Sequence, residues 1–170
     1  MSGKMIVLGV ISSGVFCVAG YAKTATSKQS DASFLAMAAQ ADMTIAHIGK
    51  DAEARGANEK VKDFGKTLVQ DHTSDYESLT NLAAKTGETI PKGIDRTNDR
   101  TIAAVDRYKG KTFDHAFLTS ESAQHQKLIQ AFKEEATHGS NPAIKAYATK
   151  ALPTIEKHLH DAQDLLKRSI

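Results

Sequence analysis

Apolar side chains recur every three or four residues in four long segments, and this spacing constrains the fold more than any other feature of the chain. Residues spaced in this way share one face of an α-helix, whereas no segment shows the sustained alternation that is typical of a half-buried strand. Helices are predicted at residues 31–55, 59–86, 112–137 and 142–167. Because mostly short connections join them, the sequence predicts an all-α fold, an antiparallel four-helix bundle.

The ends of these segments carry residues that typically start or stop helices. Ser30 and Asn58 are suited to N-caps, because their side-chain oxygens can accept a backbone N–H of the first turn. Gly56 and Gly87 follow the first two helices, and an Asn-Pro pair at 141–142 precedes the last one. These signals support the predicted boundaries.

Breaks in the pattern define the remaining segments. Residues 88–99 are predicted to form a loop, and residues 101–108 a short helical lead-in before Thr112 caps the third long helix. Pro153 lies inside the last helix. Because proline has no backbone N–H, we expect this helix to kink near Thr149.

The first 22 residues have the features of a secretory signal. Lys4 precedes an uncharged apolar or small run over residues 5–20, and small residues precede a predicted cut after Ala22. An uncleaved membrane anchor is one alternative, and lipidation of Cys17 is another, although Phe16 before it is bulky for that signal. Membrane contact is expected only if the segment is kept.

Removal of residues 1–22 would leave a flexible leader at 23–30 and one domain at 31–170. The chain has a single cysteine, which excludes an internal disulfide framework and Cys-rich metal sites. A mature chain without any thiol suits an oxidising compartment, so the expected location is the periplasm or cell envelope.

Charge and motifs exclude several functional classes. Lys plus Arg total 22 and Asp plus Glu total 20, so the net charge of +2 argues against a nucleic-acid binder. The chain has no Gly-rich phosphate loop and no Gly-x-Ser-x-Gly motif. No catalytic constellation is visible, and the sequence therefore favours a non-enzymatic role.

Three of the seven histidines lie on inward stripes of different predicted helices: His72, His125 and His158. Counting residues from the helix starts places each about 20–25 Å along its helix, so the three rings can converge within about 8 Å of one another. The other four histidines fall outside the stripes and are expected to face solvent: His47, His115, His138 and His160.

Two interpretations of the inward histidines remain open. Together with Glu121, one turn before His125, they would form a nitrogen and oxygen site suited to zinc, copper or iron, and Asp42 is the nearest inward-edge acid on the first helix. Alternatively, they are core polar residues that pair with Asp71, Tyr76 or backbone carbonyls.

A carboxylate-bridged di-iron centre is not favoured by this sequence. Such centres use two Glu-x-x-His motifs and two further glutamates. The chain has one such motif, from Glu135 to His138, at a predicted helix end.

Residues 31–166 resemble the bacterial domain-of-unknown-function family 4142, ferritin-like helical proteins of the cell envelope. The resemblance implies an exported, ferritin-like four-helix bundle and no established reaction. Its motifs are Phe34-Leu35, Ala38-Ala39-Gln40 and Gly49 on the first helix, Val61-Lys62-Asp63-Phe64 and Asp71-His72 on the second, Phe113-Asp114 and His125 on the third, and Leu152-Pro153 and His158-Leu159 on the fourth.

The chain departs from the family pattern at three positions. Many relatives carry glutamate at the position of Ile45 and tyrosine at that of Phe117, and Glu121 occupies a position that is often apolar. Loss of the carboxylate at Ile45 weakens a ferritin-type metal site unless Glu121 reaches the same point.

Three functions are compatible with these observations. The leading one is an exported, non-catalytic binding or accessory module of the cell envelope. The second is a metal-binding protein or oxidoreductase that uses the inward histidines. The third is an accessory subunit of a periplasmic complex, with an envelope protein as its partner.

Overall fold

The computed structural model describes residues 30–168, and the fold within this range is all-α. The predicted signal segment, including Cys17, and the leader up to residue 29 lie outside the described residues. No strand occurs in the described range, and none of its helices has the length and hydropathy of a membrane span. The five helices are α1 (Asp31–Arg55), α2 (Glu59–Thr86), α3 (Arg96–Asp106), α4 (Gly110–His138) and α5 (Pro142–Arg168).

The predicted boundaries of the long helices agree closely with the structure. Ser30 caps α1 and exchanges hydrogen bonds with Ser33, while Asn58 caps α2 by accepting from the backbone N–H of Lys60. Gly87 ends α2 with a φ of 75°, a left-handed conformation that glycine adopts without strain. Local capping chemistry therefore sets these helix ends.

The prediction for the connection between α2 and α4 was partly wrong. The helix α3 begins at Arg96, inside the segment that was predicted to be a loop, because the Asp95 side chain caps it by accepting from the backbone N–H of Asn98. Thr112 does not cap the next helix, since α4 already begins at Gly110. Gly110 has a φ of 58°, a left-handed conformation that interrupts the helical backbone between α3 and α4.

The four long helices form two helical hairpins. Residues 56–58 join α1 to α2, and residues 139–141 join α4 to α5; each pair packs extensively along its length. Between the hairpins, α1 contacts α4 and α2 contacts α5, while the short α3 lies against α1 and α4. Mid-helix residues of all four long helices therefore face a shared interior.

Two carboxylates hold the turns of these hairpins. Asp114 on α4 accepts from the backbone N–H groups of Ala57 and Asn58, both at 2.9 Å, and thereby fastens the α1–α2 turn. Asp31 at the start of α1 accepts from the N–H groups of Ser140 and Asn141, both at 2.8 Å. Each hairpin thus supplies an acid that fixes the turn of the other.

Pro153 lies inside the last helix, as the sequence analysis predicted. The kink expected near Thr149 stays a prediction. The helix α5 is continuous from Pro142 to Arg168, and Pro153 lies inside it. Proline cannot donate to the carbonyl of Thr149, so one helical hydrogen bond is missing at this point.

The helices α1 and α2 approach each other closely at Gly49 and Gly65. A Cβ atom on Gly65 would lie 2.6 Å from the carbonyl oxygen of Gly49 and 2.8 Å from the backbone nitrogen of Glu53. These neighbours are backbone atoms, which cannot move aside as a flexible side chain would. The spacing of α1 and α2 therefore depends on glycine at this crossing.

We expect Gly65→Ala to lower the free energy of unfolding by about 1–3 kcal/mol, because the added methyl group forces the two helices apart. Urea unfolding followed by circular dichroism measures this change. Gly93→Ala is the matched control, since a Cβ there meets nothing within 4 Å and should change stability by less than about 0.5 kcal/mol. A Gly65→Ala protein as stable as the parent would contradict the proposed close packing.

Candidate metal centre

Three buried histidines meet between the two hairpins, one from each of α2, α4 and α5. The ring centroids of His72 and His125 are 5.5 Å apart, those of His72 and His158 are 5.4 Å apart, and those of His125 and His158 are 5.3 Å apart. Their exposed fractions are 5%, 0% and 1%. The predicted convergence within about 8 Å is confirmed.

Aromatic side chains pack on both sides of this histidine cluster. Phe34, Phe132 and Tyr147 are in mutual ring contact toward the start of α1 and the end of α4. Toward the other end, Phe117 contacts both Phe64 and Phe113, and Phe64 contacts His158. The histidine cluster therefore lies between two apolar layers that limit access of water along the helix axes.

Each ring uses one nitrogen for a hydrogen bond. Nδ1 of His72 and Oδ1 of Asp42 share a hydrogen bond at 2.8 Å, and Nδ1–H of His125 donates to the backbone carbonyl of Glu121 at 2.9 Å. Nε2–H of His158 donates to Oδ2 of Asp71 at 2.9 Å. These bonds fix the orientation of all three rings, and because Asp42 belongs to α1, all four long helices contribute to the site.

The second nitrogen of each ring is buried and has no hydrogen-bond partner among the described residues. These atoms are Nε2 of His72, Nε2 of His125 and Nδ1 of His158. The three rings can each offer one nitrogen such that these atoms lie within 4.8 Å of one another. A buried polar atom without a partner costs about 1–3 kcal/mol, so three together form an arrangement that a cation would stabilise.

Burial keeps the three imidazoles neutral. It lowers the pKa of His72 to about 4 and that of His125 to about 3, the latter also through the neighbouring His72. Burial also lowers the pKa of His158, and so does repulsion from the His72 ring when that ring is protonated. A neutral imidazole whose one nitrogen carries the proton presents a lone pair on the other, which is the form that ligates metals.

Glu121, the fourth predicted ligand, lies beside the histidine cluster and is not part of it. Its carboxyl group is fully buried, and Oε2 lies 3.5 Å from Nδ1 of His125, the nitrogen already used for a hydrogen bond. Burial raises the pKa of Glu121 well above its ordinary range, which favours the neutral acid. The structure therefore brings three of the four predicted ligands together.

The alternative polar partners are also partly present. Asp71 and a backbone carbonyl hold His158 and His125, as the polar-network interpretation predicted. Tyr76 does not take part, because its hydroxyl donates to the carbonyl of Pro91. A polar network accounts for one nitrogen of each ring and leaves the second nitrogen of each ring unexplained.

The structure agrees with the sequence-based expectations for the remaining histidines. The four histidines outside the stripes are exposed: His47, His115, His138 and His160. The Glu-x-x-His motif lies at the end of α4, where His138 pairs with Glu134. A second group with ligand-like spacing, His47, Asp51 and Asp106, lies nearer the surface, and Arg55 already pairs with its Asp106.

A pocket of about 230 Å³ between α2 and α5 leads to the histidine cluster, and the sequence analysis missed two residues in its wall. The hydroxyl of Tyr147 donates to Oδ2 of Asp75 at 2.6 Å. Asp75 lies three residues after His72 on α2. This helical spacing places both on one face of the helix and could have identified Asp75 from the sequence. His72 and His158 belong to the same wall.

The comparison with known families agrees with the resemblance seen in the sequence. Residues 18–165 match the family model described as Domain of unknown function (DUF4142). The chain belongs to the DUF4142 family. No curated protein and no solved structure matches it. Site geometry is therefore the basis for any function assigned to this DUF4142 protein.

The hydrogen bonds predict a specific tautomer for each ring of the metal-free DUF4142 protein. We expect His72 and His125 to carry the proton on Nδ1 and His158 on Nε2. Since burial lowers the pKa of His72 to about 4 and that of His125 to about 3, both should stay neutral as the pH falls from about 8 to about 5. Imidazole ¹⁵N chemical shifts measure both properties. Protonation of His72 or His125 above pH 6, or a shared tautomer for all three rings, would contradict this geometry.

Proposed function

We propose that this protein binds one divalent transition-metal ion, zinc or copper, through His72, His125 and His158. The observation that carries the proposal is the set of three buried ring nitrogens, one per histidine, without a hydrogen-bond partner among the described residues. Their rings face one another at centroid distances of 5.3 to 5.5 Å. A single ion would satisfy all three lone pairs at once.

The donor set favours zinc or copper over iron. Imidazole nitrogen is a good ligand for both ions, and mononuclear iron sites typically add a carboxylate. Glu121 is the nearby buried carboxyl group on α4, and it faces the hydrogen-bonded nitrogen of His125. Bonds of about 2.0–2.1 Å to a tetrahedral zinc ion would place neighbouring nitrogens about 3.3 Å apart, so the rings would draw together slightly on binding.

The surroundings of the rings are those of a metal site. A histidine that ligates a metal usually donates its other N–H to a carboxylate or carbonyl, which fixes the ring and raises its basicity. Asp42, Asp71 and the backbone of Glu121 supply these three acceptors. The outer hydrogen bonds are therefore compatible with metal binding and do not compete with it.

We further propose that the fold is a ferritin-like four-helix bundle and that the protein acts in the cell envelope as a non-catalytic binding module. Two hairpins that pack through α1 with α4 and α2 with α5 support the bundle. The N-terminal segment, with Lys4, an apolar run and small residues before the predicted cut, supports export.

Calorimetric titration of the untagged, metal-free protein with zinc and with copper(II) tests the metal proposal. We expect one ion per chain with a dissociation constant below about 10 μM. His125→Ala should abolish this binding because it removes one of three ligands. Exposed His115, on the same helix, provides the control: His115→Ala should bind metal as the parent does.

His158→Gln serves as a second variant if His125→Ala fails to fold, because an amide can still donate to Asp71 while it removes the imidazole. Circular dichroism establishes that each variant is folded before titration. Absence of saturable binding to the parent, or equal binding by the parent and both cluster variants, would refute the metal site and leave the histidines as core polar residues.

A further inference from the structure

The geometry points to an open coordination position: we infer that a metal held by His72, His125 and His158 binds a small exogenous anion through the pocket between α2 and α5. This inference rests on the proposed metal site and adds an exchangeable ligand to the bound ion. The chemical class is a monovalent anion of a few atoms with an oxygen or nitrogen donor.

The number of protein ligands leaves one position for such a molecule. Structural zinc sites are closed by four protein ligands, whereas three protein ligands leave a fourth position for water or substrate. Glu121 does not occupy that position, because its carboxyl group lies beside Nδ1 of His125 and outside the group of converging donor atoms.

The pocket borders the histidine cluster. His72 and His158 form part of its wall, so two of the three proposed ligands border it directly. Its volume of about 230 Å³ is below the range of about 300–1,000 Å³ that is usual for drug-sized ligands. The pocket therefore selects small molecules.

The charges around the pocket favour a cation first and an anion once that cation is bound. Asp71 and Asp75 are acidic and Lys150 is basic, so the ionisable groups other than the two neutral histidines carry a net charge of −1. That charge favours entry of a cation. A divalent ion held by the histidines adds two positive charges beside this wall, which favours a monovalent anion as the next ligand.

The wall also offers a fixed hydrogen-bond acceptor. Asp75 accepts from the hydroxyl of Tyr147, and a carboxylate has acceptor sites left after one such bond. Asp75 is thus positioned to accept a hydrogen bond from a water molecule or a protonated ligand in the pocket. The hydrogen bond from Tyr147 holds this carboxylate in place.

Cobalt(II) and azide test the inference on the full-length protein. Cobalt bound per chain is measured first by metal analysis, and azide is then titrated while the visible absorption of cobalt is recorded. We expect a saturable spectral change. Thr154→Trp, which places a large side chain in the pocket wall, should raise the azide dissociation constant about tenfold or more. Ser78→Trp, on the opposite helix, is a second blocking variant.

Thr149→Trp is the matched control, because Thr149 is also exposed on α5 but is not part of the pocket wall. It should leave azide binding unchanged. Stoichiometric cobalt with an azide-insensitive spectrum, or equal azide affinity in the blocking variants and the control, would overturn this inference alone. Failure of the parent protein to bind cobalt would overturn the proposed metal site together with it.

Discussion

The central constraint in this structure is the burial of three neutral imidazoles whose hydrogen bonds all use one nitrogen per ring. The bonds to Asp42, to Asp71 and to the backbone of Glu121 orient the rings and leave the second nitrogen of each without a partner among the described residues. At about 1–3 kcal/mol for each such atom, the metal-free site is costly to the fold. A bound cation would give each of these nitrogens a partner and remove this cost.

The rest of the fold holds this site in register. Asp31 and Asp114 fasten the hairpin turns, and this fixes how far the helices of one hairpin are shifted along those of the other. The Gly49–Gly65 crossing sets the distance between α1 and α2, and hence the reach from Asp42 to His72. Aromatic residues pack above and below the three rings. Local packing thus determines the distances between the three rings.

The sequence predicted the elements that depend on local patterns. Helical spacing identified the four long helices and showed that three histidines replace apolar residues on inward stripes. Residue counting along each helix showed that the three could share one level. The start of α3 at Arg96 was missed because Asp95, its cap, lies in a segment with Pro91 and Gly93.

Features that depend on side-chain direction were harder to predict from the sequence. The ring of His125 folds back over its preceding turn, so Nδ1 meets Glu121 and the carboxyl group stays outside the cluster. The Tyr147–Asp75 pair depends on how α2 and α5 are rotated toward each other, which a single sequence does not define.

Anomalous diffraction at the zinc absorption edge, from crystals of the zinc-loaded protein, tests the central claim most directly because it locates the ion without assumptions about its ligands. The account predicts one strong peak within about 2.1 Å of Nε2 of His72, Nε2 of His125 and Nδ1 of His158. Zinc found instead on exposed histidines or on the group of His47, Asp51 and Asp106, with no peak between the three rings, would contradict it.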